Sequence, residues 1–314
     1  MEDKLYWYWL SAMSGISCRK QHQLMKVFLH PKELFLAPTH IIEEKISKKI
    51  QSRFLESRKE ELIKKGYDAL KKQQIRFLLY DETEYPGRLK KIYDYPYGMF
   101  QKGQAWREKA LTIAVVGSRN PTAYGIEVTK YLTRELTKLG VGVVSGLAKG
   151  IDGAAHRGAC HIKGSTAGIL GCGIDRIYPW DNYQLFYEMY ETQTVFSEYP
   201  PGTAPNPWRF PERNRIISGM SDGILVTEAE EKSGSLITAD LGLEQNKEIF
   251  AVPGPITSKK HEGCHGLIKQ GAKLTETVED IFSEFPNFTK SSKNIRHFQK
   301  KSLANPEKKV YDVV

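Results

Sequence analysis

LTIAVVGSRNPTAYGIEVTKYLTRELTKLGVGVVSG, residues 111–146, runs from an apolar segment through a short loop and an amphipathic stretch into a second apolar segment. Leu111–Val116 reads as a buried strand. Val128, Leu132, Leu136 and Leu139 recur at three- and four-residue spacing and mark one stripe of a helix over Ile126–Leu139. Val141–Ser145 reads as the next strand. The alternation continues with strands at Ser165–Leu170, Thr194–Ser197, Gly223–Thr227 and Glu248–Val252, and a closing helix at 277–285. Short apolar runs alternating with helices predict an α/β fold built on a doubly wound, mostly parallel sheet. In such sheets ligands bind outside the carboxyl ends of the strands.

The loops at those ends are rich in glycine and small polar residues. Gly117-Ser118-Arg119 follows the first strand. Ser145-Gly146 ends the second, with Lys149 just beyond. Gly171 and Gly173 follow a third, with Asn182 further along a rigid loop, and Ser233-Gly234-Ser235 opens a helix running to about Gln245. Such loops bring backbone N–H groups close to phosphate, so the pattern predicts a polyanion site. A dinucleotide cofactor is not expected: GxGxxG is absent, and Ser145-Gly146 stands where an acidic residue would hold a ribose diol. Arg119 offers a planar five-donor fork suited to phosphate. The glycines at 171 and 173 either cradle a ligand or only make the turn. Ser233 either caps its helix or, with Ser235, helps hold an anion. His156 reads as a packed or hydrogen-bonded histidine.

FPERNR (210–215) places Phe210, Arg213, Asn214 and Arg215 at a helix start. Two residues apart on a helix, the arginines diverge by about 200°, so one is expected to reach phosphate and the other to order the loop. A stacking face beside guanidinium groups suits single-stranded nucleic acid; the competing reading places Phe210 in the core. Walker A, HExxH and nucleophile-elbow motifs are all missing, and no enzyme activity and no metal are expected.

Net charge is +9 over 314 residues, but it is unevenly placed: +8 in residues 1–109, −3 in 110–283 and +4 in 284–314. A nucleic-acid site in the α/β region must therefore rest on a focused cluster, not on bulk charge. The four cysteines, Cys18, Cys160, Cys172 and Cys264, form no CxxC and point to free thiols in a reducing cytoplasm. No apolar run approaches the roughly 20 residues of a membrane span, and no signal peptide is read at the N-terminus. The expected organisation is a helical module at 1–75, a connector at 76–107 with one strand at Arg76–Tyr80, the α/β domain at 108–285, and a basic linker at 286–314. Leu10–Ser17 looks like a helix-hairpin-helix turn, for which packing is preferred over DNA contact.

GSRNPTAYG (117–125), SGLAKGIDGAAHRGA (145–159), GCGIDRIYPWDN (171–182), SEYPPG (197–202), FPERNRIISGMS (210–221), SGSLITA (233–239) and FAVPGP (250–255) together resemble the DprA/Smf family of bacterial natural transformation. The resemblance implies an extended Rossmann fold behind a sterile-alpha-motif-like N-terminal module. It further implies single-stranded DNA binding, homodimerisation involving roughly residues 261–282, and loading of the RecA recombinase. By position it makes Arg119 a phosphate ligand and Phe210 a base-stacking residue. Trp180 departs from it, because relatives often carry a basic residue there, as does the His261–His265 segment. Asn305–Tyr311 looks like the first helix of a truncated winged-helix domain. The alternatives are a small-nucleotide sensor and a phosphoribohydrolase-like enzyme. Against the latter, Ser233–Asp240 lacks that group's Gly-Thr-x-x-Glu arrangement.

Overall fold

The computed structural model describes residues 1–291. Six helices come first: α1 (Asp3–Ala12), α2 (Cys18–Phe28), α3 (Pro31–Leu36), α4 (Thr39–Lys45), α5 (Lys48–Glu56) and α6 (Glu60–Lys72). Two strands follow, β1 (Arg76–Leu79) and β2 (Gly98–Gly103). The chain then alternates through β3 (Thr112–Val116), α7 (Ala123–Lys138), β4 (Gly142–Ser145), α8 (Ile151–Ala159), β5 (Thr166–Leu170), α9 (Tyr183–Thr192), β6 (Thr194–Ser197), α10 (Arg209–Gly219), β7 (Gly223–Val226), α11 (Gly234–Glu244) and β8 (Glu248–Ala251). Helix α12 (Glu262–Lys269), strand β9 (Lys273–Leu274) and helices α13 (Val278–Ser283) and α14 (Pro286–Ser291) complete it.

The strands form one sheet in the order β1-β2-β6-β5-β4-β3-β7-β8-β9. Strands β3 to β9 pair in parallel, as expected of a doubly wound sheet. Successive residues of β3 face opposite sides, as a pleated strand requires. Ile113 and Val115 meet Leu132 and Leu136 of α7 and Ala155 of α8, whereas Ala114 and Val116 share a core with Ile216 and Ile217 of α10 and Ala239 of α11. The strand order reverses at β3, which lies between β4 and β7. That reversal opens a crevice at the carboxyl ends of β3 and β7, the place where such sheets take ligands.

The connector contributes two strands, not one. β2 pairs antiparallel with both β1 and β6 and so extends the sheet. Its sequence, GMFQKG, has no strict alternation and ends in glycines, so its period was illegible; its pairing comes from neighbours distant in sequence. Nor is the helical module separate. Trp7, Tyr8 and Trp9 of α1 are all buried. Trp9 meets Phe35 and Phe54 within the module, while Trp7 meets Tyr97 at 4.9 Å and Tyr8 meets Phe77 at 5.5 Å on the sheet side. One continuous core therefore joins module and sheet. The Leu10–Ser17 turn buries Met13 and Ile16, and Ser17 caps α2 by accepting from the Lys20 N–H at 3.3 Å. Residues 286–291, read as the start of a linker, instead form α14, whose Phe288 packs on the core of α7, α8 and α13. Residues 292–314, including the stretch resembling a winged-helix start, lie outside the described residues.

His156 lies in α8 with no exposed surface, its Nδ1 2.8 Å from Thr166 Oγ1 and its Nε2 unpartnered. Burial pushes its pKa down to about 3, so the folded state holds it neutral while the unfolded chain protonates it near 6.5. Through this group the unfolded state binds more protons between those values, and the His156 contribution to stability falls as pH drops below about 6.5. Urea denaturation across pH 4–7 should show this as a difference: the parent should lose stability relative to His156→Gln as pH falls, with a difference in slope approaching one proton.

Candidate nucleic-acid interface

The crevice at the strand reversal is a cleft of about 430 Å3. Its walls are the loop after β3 (Gly117, Ser118, Arg119), the start of α10 (Phe210, Arg213, Asn214) and the turn into α11 (Lys232, Ser233, Gly234, Ser235). The first loop is rigidly held. The Ser118 N–H donates to Glu228 O at 2.7 Å, Ser118 O accepts from the Ile151 N–H, and Ser118 Oγ accepts from the Asn120 N–H. Arg119 projects from this loop into solvent, and no hydrogen bond or ion pair within the described residues engages it. Its guanidinium lies over the Phe210 ring, 5.5 Å from the centroid. Phe210 is half-buried and stacks on Tyr178 at 5.5 Å with planes 25° apart. It is therefore a wall of the cleft and not a core residue. At the opposite wall Ser233 caps α11 through the Ser235 N–H, and the two hydroxyls lie 2.8 Å apart.

Arg213 and Arg215 of α10 do different work from that expected. Arg213 is buried at the base of the cleft it helps to line. It donates to Gly146 O at 2.7 Å and to Ile169 O, which ties the ends of β4 and β5 together. Asp152 lies beside it and accepts from the Gly146 N–H at 3.2 Å; burial pushes this carboxyl above the usual range, against the pull of Arg213. Arg215 faces away from the cleft altogether. It pairs with Glu198 at 2.6 Å and Asp94 at 3.4 Å, and Arg19 from α2 also reaches Asp94. Arg215 thus joins the connector to the sheet and offers nothing to a ligand.

Other expected site residues are also structural. Ser145 is buried and donates to Val115 O at 2.6 Å. Gly146 leaves room for the Arg213 guanidinium: a Cβ there would lie 2.5 Å from Nη2. Gly171 does the same for the Phe210 ring, with 2.7 Å to a ring carbon. Gly173 donates its N–H to Thr203 O and supports a neighbouring turn. Asn182 is buried and donates to Leu147 O and Ala148 O. Lys149 is exposed, but it stands outside the cleft, 3.5 Å from Asp181, in an adjoining hollow that also contains Arg119, Lys130 and Arg157. Two cations at the cleft were not anticipated. Lys232 immediately precedes the Ser-Gly-Ser cap, which was a usable signal. Lys260 comes from the loop after β8, pairs with Glu230 at 2.5 Å, and gave none.

A mostly parallel sheet with a cationic, serine-capped cleft at its strand reversal defines a Rossmann-like protein with an anion-receptive site. The family model for DNA recombination-mediator protein A matches residues 76–286, and the chain belongs to that family. The match begins at β1, so it includes both connector strands. The DNA processing protein DprA of Bacillus subtilis is 47% identical over 219 residues, covering 69% of this chain and 74% of that one. The solved DNA processing protein A of Streptococcus pneumoniae superposes with a TM-score of 0.77 at 32% identity, over 90% of this chain and 99% of that one. The structure of Helicobacter pylori DNA processing protein A, which addresses its single-stranded DNA binding mode, gives a TM-score of 0.62 at 28% identity, over 68% and 96%.

The arginines should separate by stability. Arg119→Ala should leave the folding free energy within about 0.5 kcal/mol of the parent. Arg215→Ala strands Glu198 in a buried site and should cost about 3–5 kcal/mol. Urea titration of both variants distinguishes the two roles.

Proposed function

We propose that the chain binds single-stranded DNA at the cleft as a cytoplasmic homodimer, protects the strand, and passes it to the RecA recombinase. The observation that carries the binding is the unpaired Arg119 guanidinium lying over Phe210 on a cleft rimmed by Lys232. Phosphate clamp and stacking face stand within reach of one nucleotide, which is what sequence-tolerant single-strand binding needs. The family and the Helicobacter pylori relative support the ligand; the step to RecA rests on the family's role as a recombination mediator. The role assigned to the cleft is binding, without catalysis.

Arg119 and Phe210 touch, so their contributions are coupled. Arg119→Ala should weaken oligothymidylate binding by about 1–3 kcal/mol and make the salt dependence shallower by about 0.7, the value for one lost phosphate contact on a single strand. Phe210→Ala should cost about 1–3 kcal/mol and leave the slope unchanged, because a stacking face releases no counterion. The double variant should lose less than the sum, since each single change already disturbs the shared contact. Titrations at several salt concentrations measure all three. Equal affinity for duplex of the same length would overturn single-strand selectivity.

For the dimer, the apolar pair Leu267-Ile268 is poor support, because Leu267 is buried against its own core. Better support is Ile256, 90% exposed, beside a hollow lined by Leu236, His265 and Lys269 near the β9 edge of the sheet. Ile256→Glu should convert a dimer to a monomer in light scattering, with an unchanged melting temperature after correction for protein concentration. A parent protein that is already monomeric would refute the assignment.

A further inference from the structure

Outside the cleft, a row of aromatic side chains stands in solvent along one short segment. Tyr178, Trp180, Tyr183 and Tyr187 are 44, 71, 38 and 49% exposed. The Trp180 and Tyr183 centroids lie 4.7 Å apart, and those of Tyr183 and Tyr187 lie 4.6 Å apart. Tyr183 and Tyr187 are one turn apart on α9, and Trp180 sits on the 3-10 turn, Trp180–Asn182, that leads into it. The buried side of α9 is supplied by Leu185, Phe186 and Met189, so the ladder is not needed for the core. Its planes are tilted by 41° and 58°, which leaves ring faces uncovered by their neighbours.

The segment that carries the ladder also reaches the cleft. Tyr178 stacks on Phe210, the cleft wall. Between ladder and cleft lies the hollow containing Arg119, Lys130, Lys149 and Arg157, and Arg119 lines both the hollow and the cleft. Lys149 is tied to Asp181, and Arg157 donates to Asn182 Oδ1 at 3.1 Å, so both cations are anchored to the same turn that carries Trp180. Exposed Glu188 and Glu191 stand on the helix beyond. Rings flanked by cations on the cleft side and acids on the far side suit a strand that leaves the cleft and ends its contact there.

We propose that Trp180, Tyr183 and Tyr187 form a second stacking platform for single-stranded nucleic acid, on which bases leaving the cleft stack while the backbone passes Lys149 and Arg157. The proposal rests on the single-strand reading of the cleft and extends it to the path of the strand. Every base has an apolar face, so such a platform adds affinity without adding sequence preference.

The test uses the full chain, a short oligothymidylate of about 6 nucleotides, one of about 20, and versions of the longer one made abasic over either end. The double variant Trp180→Ala/Tyr183→Ala should bind the short strand like the parent and the long strand about tenfold more weakly. An abasic end that weakens parent binding should have no effect on the double variant, and Trp180→Phe should restore most of the loss. All three positions are exposed, so melting temperatures should match. Unchanged long-strand binding by the double variant overturns the platform, as does an equal loss at both lengths. A parent that binds neither length overturns the cleft reading itself, and the platform falls with it.

Discussion

The site depends on one buried guanidinium. Arg213 reaches from α10 to the carbonyls of Gly146 and Ile169, so one side chain holds the ends of two adjacent parallel strands and the helix that walls the cleft. A carbonyl buried without a partner is costly, so these two bonds matter at this place. Gly146 must lack a Cβ for the guanidinium to fit, and its N–H fixes Asp152 on the other side. Burial disfavours the charged form of both groups, lowering the Arg213 pKa and raising that of Asp152. Such an arrangement contributes little net stability and strongly constrains placement. The walls are then set before any ligand arrives, which reduces the ordering that binding would require.

The sheet was legible because β3 to β7 are short, fully buried and largely apolar runs, and the helix after β3 carries a clear three-four stripe. The ends coincide, as in Thr194–Ser197, or shift by at most three residues, the ordinary uncertainty of helix and strand limits. β2 was not legible, since nothing local in GMFQKG sets it apart from a loop; β1 and β6 supply its pairing. The chemical types in the candidate site were legible too: glycine, serine and arginine at strand ends. What could not be read was the division of labour. Arg213 and Arg215 share a type and a helix with candidate ligands, and the predicted divergence of two residues on a helix is real. But both point into protein, because Glu198 and Asp94 on one side and the strand-end carbonyls on the other come from segments far apart in the chain. Ser145 and Asn182 illustrate the same limit: a polar residue in a loop satisfies either a ligand or a backbone, and only the fold shows which.

The helical module bears on the site through packing. Its aromatic helix α1 shares a core with β1 and β2, and Arg19 of α2 joins the Asp94–Arg215–Glu198 network. Arg215 belongs to α10, the helix that also presents Phe210 to the cleft. Loosening the module therefore disturbs the far end of a helix whose near end forms a wall of the site. Contacts of this kind transmit strain because packed cores have few alternative arrangements.

Charge distribution separates encounter from binding. The excess positive charge lies in residues 1–109 and 284–314, while residues 110–283 carry −3. At physiological salt a charge is screened over about 8 Å, so lysines on the distant helices contribute little to the potential inside the cleft. Their field acts on an approaching polyanion and raises the rate of encounter. On the single-strand reading proposed above, the affinity of a bound strand falls instead to the few cations at short range: Arg119 and Lys232 at the cleft, and Lys149 and Arg157 in the hollow beside it. Arg119 lies over the Phe210 ring, Lys149 faces Asp181 and Arg157 donates to Asn182, and the surrounding domain is slightly acidic. On the same reading, this local cluster of cations in a slightly acidic domain, rather than total charge, is what would direct a strand between the ends of β3 and β7.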